Sequence, residues 1–108
     1  MDLLRGFVEL HRMMATPYAE RVVARTEPSE NQGLGISTAW VTDLSCFETA
    51  ILDANNAYPV ERYADKDQAI AGHAKWLQAS STLVEVNRLG AEMWAAEDTI
   101  VTLQRIHP

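Results

Sequence analysis

Cys46 is the one cysteine in 108 residues. That excludes an internal disulfide and every zinc motif built on several thiolates, and it suits a reducing compartment. Nowhere do about 18 apolar residues follow one another, so no segment has the length of a membrane-spanning helix. The first fifteen positions include Asp2 and Glu9 and lack the basic, apolar, small-residue order of a secretion signal, so the protein is expected to stay in the cytoplasm where it is made. Five glycines and four prolines are too few for a fibrous or low-complexity chain. Gly-x-Ser-x-Gly, P-loop, Gly-x-Gly-x-x-Gly and His-Glu-x-x-His patterns are missing, and Gly33-Leu34-Gly35 is an isolated pair of loop glycines. These gaps argue against most enzymes.

What is present is the balance of an ordinary globular domain, 47% apolar and 22% charged. One domain over residues 1–108 is expected, burying roughly 60 to 70% of the unfolded surface around one modest core. The net charge of −6 is regional. Residues 1–25 set Arg5, Arg12, Arg21 and Arg25 against Asp2, Glu9 and Glu20, and residues 66–108 are equally close to neutral. Residues 26–65 hold Glu27, Glu30, Asp43, Glu48, Asp53, Glu61 and Asp65 with Arg62 alone opposing them, so they account for the whole excess. Such a field repels phosphate backbones and anionic membranes and draws basic partners, which disfavours direct nucleic-acid or membrane binding. The plain alternative is a set of solvated carboxylates that keep a small protein soluble.

Along the chain, residues 1–25 have helical periodicity. At about 100° per residue, Leu3, Leu4, Phe7, Val8, Leu10, His11 and Met14 share an arc of roughly 160°. Asp2 is a candidate N-cap, and Thr16-Pro17 starts a second short helix through about Arg25. Pro28, Ser29, Asn31, Gly33 and Gly35 then make a loop. The period changes to two at Ile36, Thr38 and Trp40, and again at Phe47, Thr49 and Ile51, so residues 36–63 read as antiparallel strands. Asp43-Leu44-Ser45 and Asn55-Asn56 supply the turns, and Pro59 confines the 58–63 strand to an edge. Asp65 with Gln68 is a capping pair that opens a helix, whose inner arc contains Ala69, Ile70, His73, Trp76, Leu77 and Ser80. Gly72 within it costs about 1 kcal/mol against Ala, which close approach to the sheet would explain. Helices are expected over 66–96 and a fourth strand over 99–106. The expected fold is α+β, with N-terminal helices, a three- or four-stranded antiparallel meander and helices packed on one face.

The order Ile36-Ser37-Thr38 with Trp40, then Phe47-Glu48-Thr49, Glu61-Arg62-Tyr63, Asp67-Gln68-Ala69 and Ala71-Gly72-His73 resembles a group of small proteins encoded by bacteriophages and prophages. The likeness covers residues 36–80. Where that group has a Gly-Pro-rich approach to Phe-Glu-Thr, this chain has Asp43-Leu44-Ser45-Cys46. The resemblance implies phage origin, a bacterial host cytoplasm and a β-hairpin plus helix module. It transfers no catalytic residue.

His73 and His11 each fall within an apolar arc, and a buried imidazole must hydrogen-bond or ionise. Neither has a second histidine three or four positions away, so structural roles come first, and no metal or other cofactor is expected. Cys46, entering a strand beside Phe47, reads as a small apolar residue. Trp40 and Trp76 read as core anchors, while Met93-Trp94 is the better interfacial pair. The favoured function is therefore a phage-encoded, non-enzymatic module that binds a protein, one with basic surface by preference, and modulates or inhibits a host protein. Glu27, Glu30, Asp43, Glu48, Asp53 and Glu61 would steer the partner, and Met93 and Trp94 with an apolar helix patch would hold it. A virion component forming a homo-oligomer is the alternative, and a metal-dependent enzyme using His73 the third reading.

Overall fold

The structure, a computed structural model, describes residues 21–28, 31, 33–90 and 99–105. The expected N-terminal helices over 1–20, with His11, and the positions Glu30, Met93, Trp94 and His107 lie outside these residues. Strands β1 (Val22–Thr26), β2 (Gly35–Val41), β3 (Cys46–Leu52) and β4 (Ala57–Tyr63) form one sheet in the order β1-β2-β3-β4, antiparallel throughout. Helix α1 (Lys66–Ala79) packs on it. A second, two-stranded antiparallel sheet pairs β5 (Glu85–Arg88) with β6 (Thr99–Thr102). The α+β class stands.

The meander follows its alternation. Thr42–Leu44 is a single 3-10 turn closed by Ser45 at φ 51°, and β2 then pairs with β3 from Gly35↔Leu52 to Val41↔Cys46. Thr38, Thr49 and Ile51 face α1, while Ser37, Ala39, Glu48 and Ala50 face the other way. Trp40 meets Phe47 edge-on across the strands, with ring centroids 5.0 Å apart. Pro59 lies in the edge strand β4, where the register slips between Thr49 and Ala50, and its carbonyl accepts from Leu89 N–H.

Two expectations are corrected. Residues 22–25 are strand, not the end of a helix: Val22 pairs with Ala39 of β2 and, past an irregularity at Val23, Ala24 and Arg25 pair with Thr38 and Ser37, so this strand is the sheet's fourth. Residues 85–88 are also strand rather than helix. Val86 is buried between exposed Glu85 and Asn87, a two-residue alternation that β6 completes. The β-branched 99–102 segment is a strand as expected, though it joins β5 and not the meander.

The apolar core gathers Leu34, Ile36, Ile51, Val60, Val86 and Leu103, with Tyr58, Trp76, Leu83 and Val101 packed against it. It therefore joins the main sheet, α1 and the β5/β6 pair. Asp65 caps α1 by accepting from Gln68 N–H at 2.8 Å, and Gln68 returns a bond to Ala64 N–H. In the loop before β2, Gly33 adopts φ 91°, a conformation that favours glycine. Asn31 Nδ2 ties this loop to Ser80 Oγ at the end of α1.

Candidate functional site

The interface between sheet and helix carries a line of polar side chains. His73, 7% exposed on α1, points Nδ1 at Thr38 Oγ1 of β2 at 2.8 Å and Nε2 at Thr26 Oγ1 of β1 at 3.5 Å. Thr38 and Thr49 of β3 share a hydroxyl bond of 2.6 Å, and the Tyr63 hydroxyl of β4 donates to Thr49 Oγ1 at 3.0 Å. Every strand of the sheet thus contributes one group. Helix and sheet approach closely here because residue 72 is glycine: a Cβ at that position would overlap the Tyr63 hydroxyl and ring. The expected reason for Gly72 is met, and Tyr63 is the neighbour that demands it.

Burial holds the His73 imidazole below its ordinary pKa of 6.5, so the neutral form is favoured. Burial likewise pushes the Tyr63 hydroxyl well above its ordinary value, Thr49 opposes that, and the neighbouring Glu61 carboxylate adds to it. Partial burial works against ionisation of Glu61, but the hydrogen bonds from Lys75 and Trp76, with the Tyr63 hydroxyl nearby, outweigh it and hold the carboxyl low. Lys75 Nζ lies 2.6 Å from Glu61 Oε2 and Trp76 Nε1 donates to Oε1 at 3.1 Å. Glu61, Arg62, Tyr63, Gln68, Ala71, Gly72 and Lys75 line a shallow cleft of about 370 Å³ above this end of the line.

The acidic residues singled out from the sequence do not share a face. Glu27 is exposed and pairs with Arg25 at 2.5 Å. Asp43 is exposed in the 3-10 turn. Glu48 lies on the sheet face away from α1 and pairs with Arg62 at 2.9 Å, whereas Glu61 lies on the α1 side. Asp53 is 8% exposed: Oδ1 accepts from Asn55 N–H and Asn56 N–H, each at 2.8 Å, and Oδ2 from Gln104 N–H at 3.0 Å. Burial opposes ionisation of Asp53, but those three backbone donors and the Tyr58 hydroxyl outweigh it, so its pKa is lowered. Its carboxylate ties the β3–β4 turn to the segment after β6 and is not offered to solvent.

Cys46 is buried, and burial together with the nearby Glu48 carboxylate raises its thiol pKa, against a smaller opposing effect of Arg62. That is an unreactive thiol. Among the described residues no three His, Cys, Asp or Glu side chains gather to hold a metal ion, and no helix is long and apolar enough to cross a membrane.

Two surface features stand out. On the outer side of α1, Ile70 (51% exposed), Ala74 and Leu77 (36%) fall on one stripe, spaced by four and three residues. The inner arc read from the sequence included Ile70 and Leu77; both are exposed, because Ala69, Gly72 and His73 make the contact with the sheet instead. The second feature is a shallow cavity of about 330 Å³ on the sheet face away from α1, floored by Ala39, Ala50, Leu52 and Ala57. No protein-family model, curated protein or solved structure matches the chain.

Proposed function

We propose that this is a phage-encoded, non-enzymatic module that binds a protein of its bacterial host and modulates it. The carrying observation is the exposed Ile70, Ala74 and Leu77 stripe on a helix whose polar inner side is already fully engaged with the sheet. Both ring nitrogens of His73 face threonine hydroxyls and the Cys46 thiol is buried, so the groups best suited to chemistry are spent on the fold. An apolar helical stripe of two turns fits a hydrophobic groove on a partner. Charge steering is a smaller contribution in this reading than composition alone implies, because Glu27, Glu48 and Glu61 each have a cation within 3 Å and Asp53 is buried.

The test is affinity purification of the tagged protein from infected cells beside a variant carrying Ile70→Lys and Leu77→Lys. Both positions are exposed, so circular dichroism and melting temperature should stay near the parent. One host protein should be lost from the variant's eluate and recovered with the parent. An identical set of captured proteins in both, or a parent that sediments as a stable homo-oligomer which the substitutions dissociate, overturns the reading and favours a virion component.

A further inference from the structure

The strand borders among the described residues are unequally guarded. β1 has an irregular register between Val22 and Ala24 and carries Arg25, and β4 has Pro59 beside its own slip. β5 turns toward β4, where Leu89 N–H donates to the Pro59 carbonyl at 2.9 Å, which leaves β6 outermost. Its pairing with β5 runs without a break from Arg88↔Thr99 to Glu85↔Thr102. Thr99-Ile100-Val101-Thr102 is β-branched throughout and contains no charge, proline or glycine. Proteins ordinarily protect an open border with lysine, proline or a bulge. β6 has none of these.

Three hydrogen bonds fix which way the β6 backbone groups point. Leu103 N–H donates to the Val84 carbonyl at 2.8 Å, so odd-numbered residues turn their N–H and carbonyl groups toward β5. Even-numbered residues turn the other way. Gln104 N–H donates to Asp53 Oδ2 at 3.0 Å, and the Gln104 carbonyl accepts from Ala54 N–H at 2.9 Å. By the same alternation Ile100 and Thr102 each aim an N–H and a carbonyl at the outer border, where no described strand pairs with them. Both residues are exposed, Ile100 at 69%.

We propose that this border pairs with the β6 of a second copy of the chain, antiparallel about a two-fold axis through Val101. That register sets Ile100 opposite Thr102 of the second copy, and Thr102 opposite its Ile100, with two backbone hydrogen bonds exchanged in each pair. The strand itself specifies this occupant. The axis maps the two outward residues onto each other, so every N–H meets a carbonyl. No charged side chain stands in either strand, so the net charge of −6 on each copy sets no carboxylates against each other within the β6 pair. Asp53 and Ala54 occupy the border at Gln104, so the open stretch ends beyond Thr102 in both copies alike. Each copy uses its single β6, and association therefore closes at two. So short a ladder makes a transient dimer, with a dissociation constant on the order of 100 µM. The interface is separate from the Ile70, Ala74 and Leu77 stripe of α1 and does not depend on it.

Sedimentation equilibrium of the full chain, over concentrations that bracket this constant, should show monomer and dimer in exchange. Ile100→Lys, a charge placed at an exposed position of the border, should raise the dissociation constant by about tenfold or more while the circular dichroism spectrum stays that of the parent. Ile70→Lys with Leu77→Lys should leave the constant unchanged. A mixture of ¹³C-labelled and unlabelled parent chains should give a nuclear Overhauser effect between Val101 Hα of one copy and Val101 Hα of the other, because Hα atoms face each other closely at a non-hydrogen-bonded pair. This second measurement decides the matter without any variant. A chain monomeric throughout, a dimer that Ile100→Lys leaves intact or that the α1 substitutions dissociate, or no intermolecular signal at Val101 would each overturn the proposal. So would pairing of β6 with a strand of another protein in place of a second copy.

Discussion

His73, packed over the middle of the main sheet, and Asp53, just beyond the end of β3, are two buried polar side chains satisfied in contrary ways. Asp53 is charged and gathers backbone N–H groups, two of them from the turn that immediately follows it. His73 is neutral and faces the hydroxyls of Thr26 and Thr38, 47 and 35 residues away, with Thr49 and Tyr63 continuing the line. A local turn can satisfy a carboxylate before the fold exists, since the Asx geometry needs only the next few residues. A hydroxyl line exists only when all four strands and the helix are in place. Asp53 therefore anchors a turn, and His73 registers completion of the sheet-helix packing.

The pair also divides the acid range. The folded pKa of Asp53 is lowered from 3.8, so its stabilisation is present above that value and disappears as pH falls through the lower folded one. For His73 the folded pKa is lowered from 6.5, and the unfolded chain accepts a proton that the folded chain resists. Stability consequently declines as pH drops below 6.5 and levels off beneath the folded pKa. The His73 loss begins at a higher pH than the Asp53 loss.

The comparison can be broken most forcefully at Asp53. Asp53→Ala strands three backbone donors and should cost about 3 kcal/mol in chemical denaturation, whereas Asp53→Asn, which keeps an acceptor oxygen, should cost less. Gly72→Ala improves helix propensity yet should destabilise by about 2 kcal/mol, because the added methyl collides with Tyr63 and pushes α1 off the hydroxyl line. His73→Gln should flatten the stability profile just below pH 6.5, where the parent loses up to about 1.4 kcal/mol per pH unit, and should leave the Asp53 window untouched. Ser45→Gly, distant from both groups, should stabilise by about 0.5 kcal/mol by relieving the left-handed backbone of the β2–β3 turn. A denaturation midpoint for each variant, measured across pH, checks all five.

The turn after Asp53 was legible in the sequence, because Asn55-Asn56 is a local signal, although the Asp53 carboxylate was assigned to a partner rather than to that turn's backbone. The Asp65 cap, the alternation of β2 and β3, the edge position of Pro59 and the close approach at Gly72 were legible for the same reason: each is decided within a few residues. The strands β1 and β5 were not. Val22-Val23 and Val84-Glu85-Val86 are too short to outweigh neighbouring helical periodicity, and their ladders come from β2 and β6. His73 was placed on the correct inner face, but Thr38, Thr49 and Tyr63 carried no mark of sharing a line with it. Charge was the least legible feature. The acidic excess of residues 26–65 looked like a face, yet Arg25 and Arg62 lie across from Glu27 and Glu48, and Lys75 of the helix covers Glu61.

Pro59 has a consequence for life in a crowded solution. An outermost strand with an intact row of amides is a template on which another chain can grow, and long arrays of such contacts end in insoluble fibres. At Pro59 the row has no hydrogen to offer, the adjoining slip in register bends it, and Leu89 already occupies the proline's carbonyl. Polymerisation along that border is blocked by one ring.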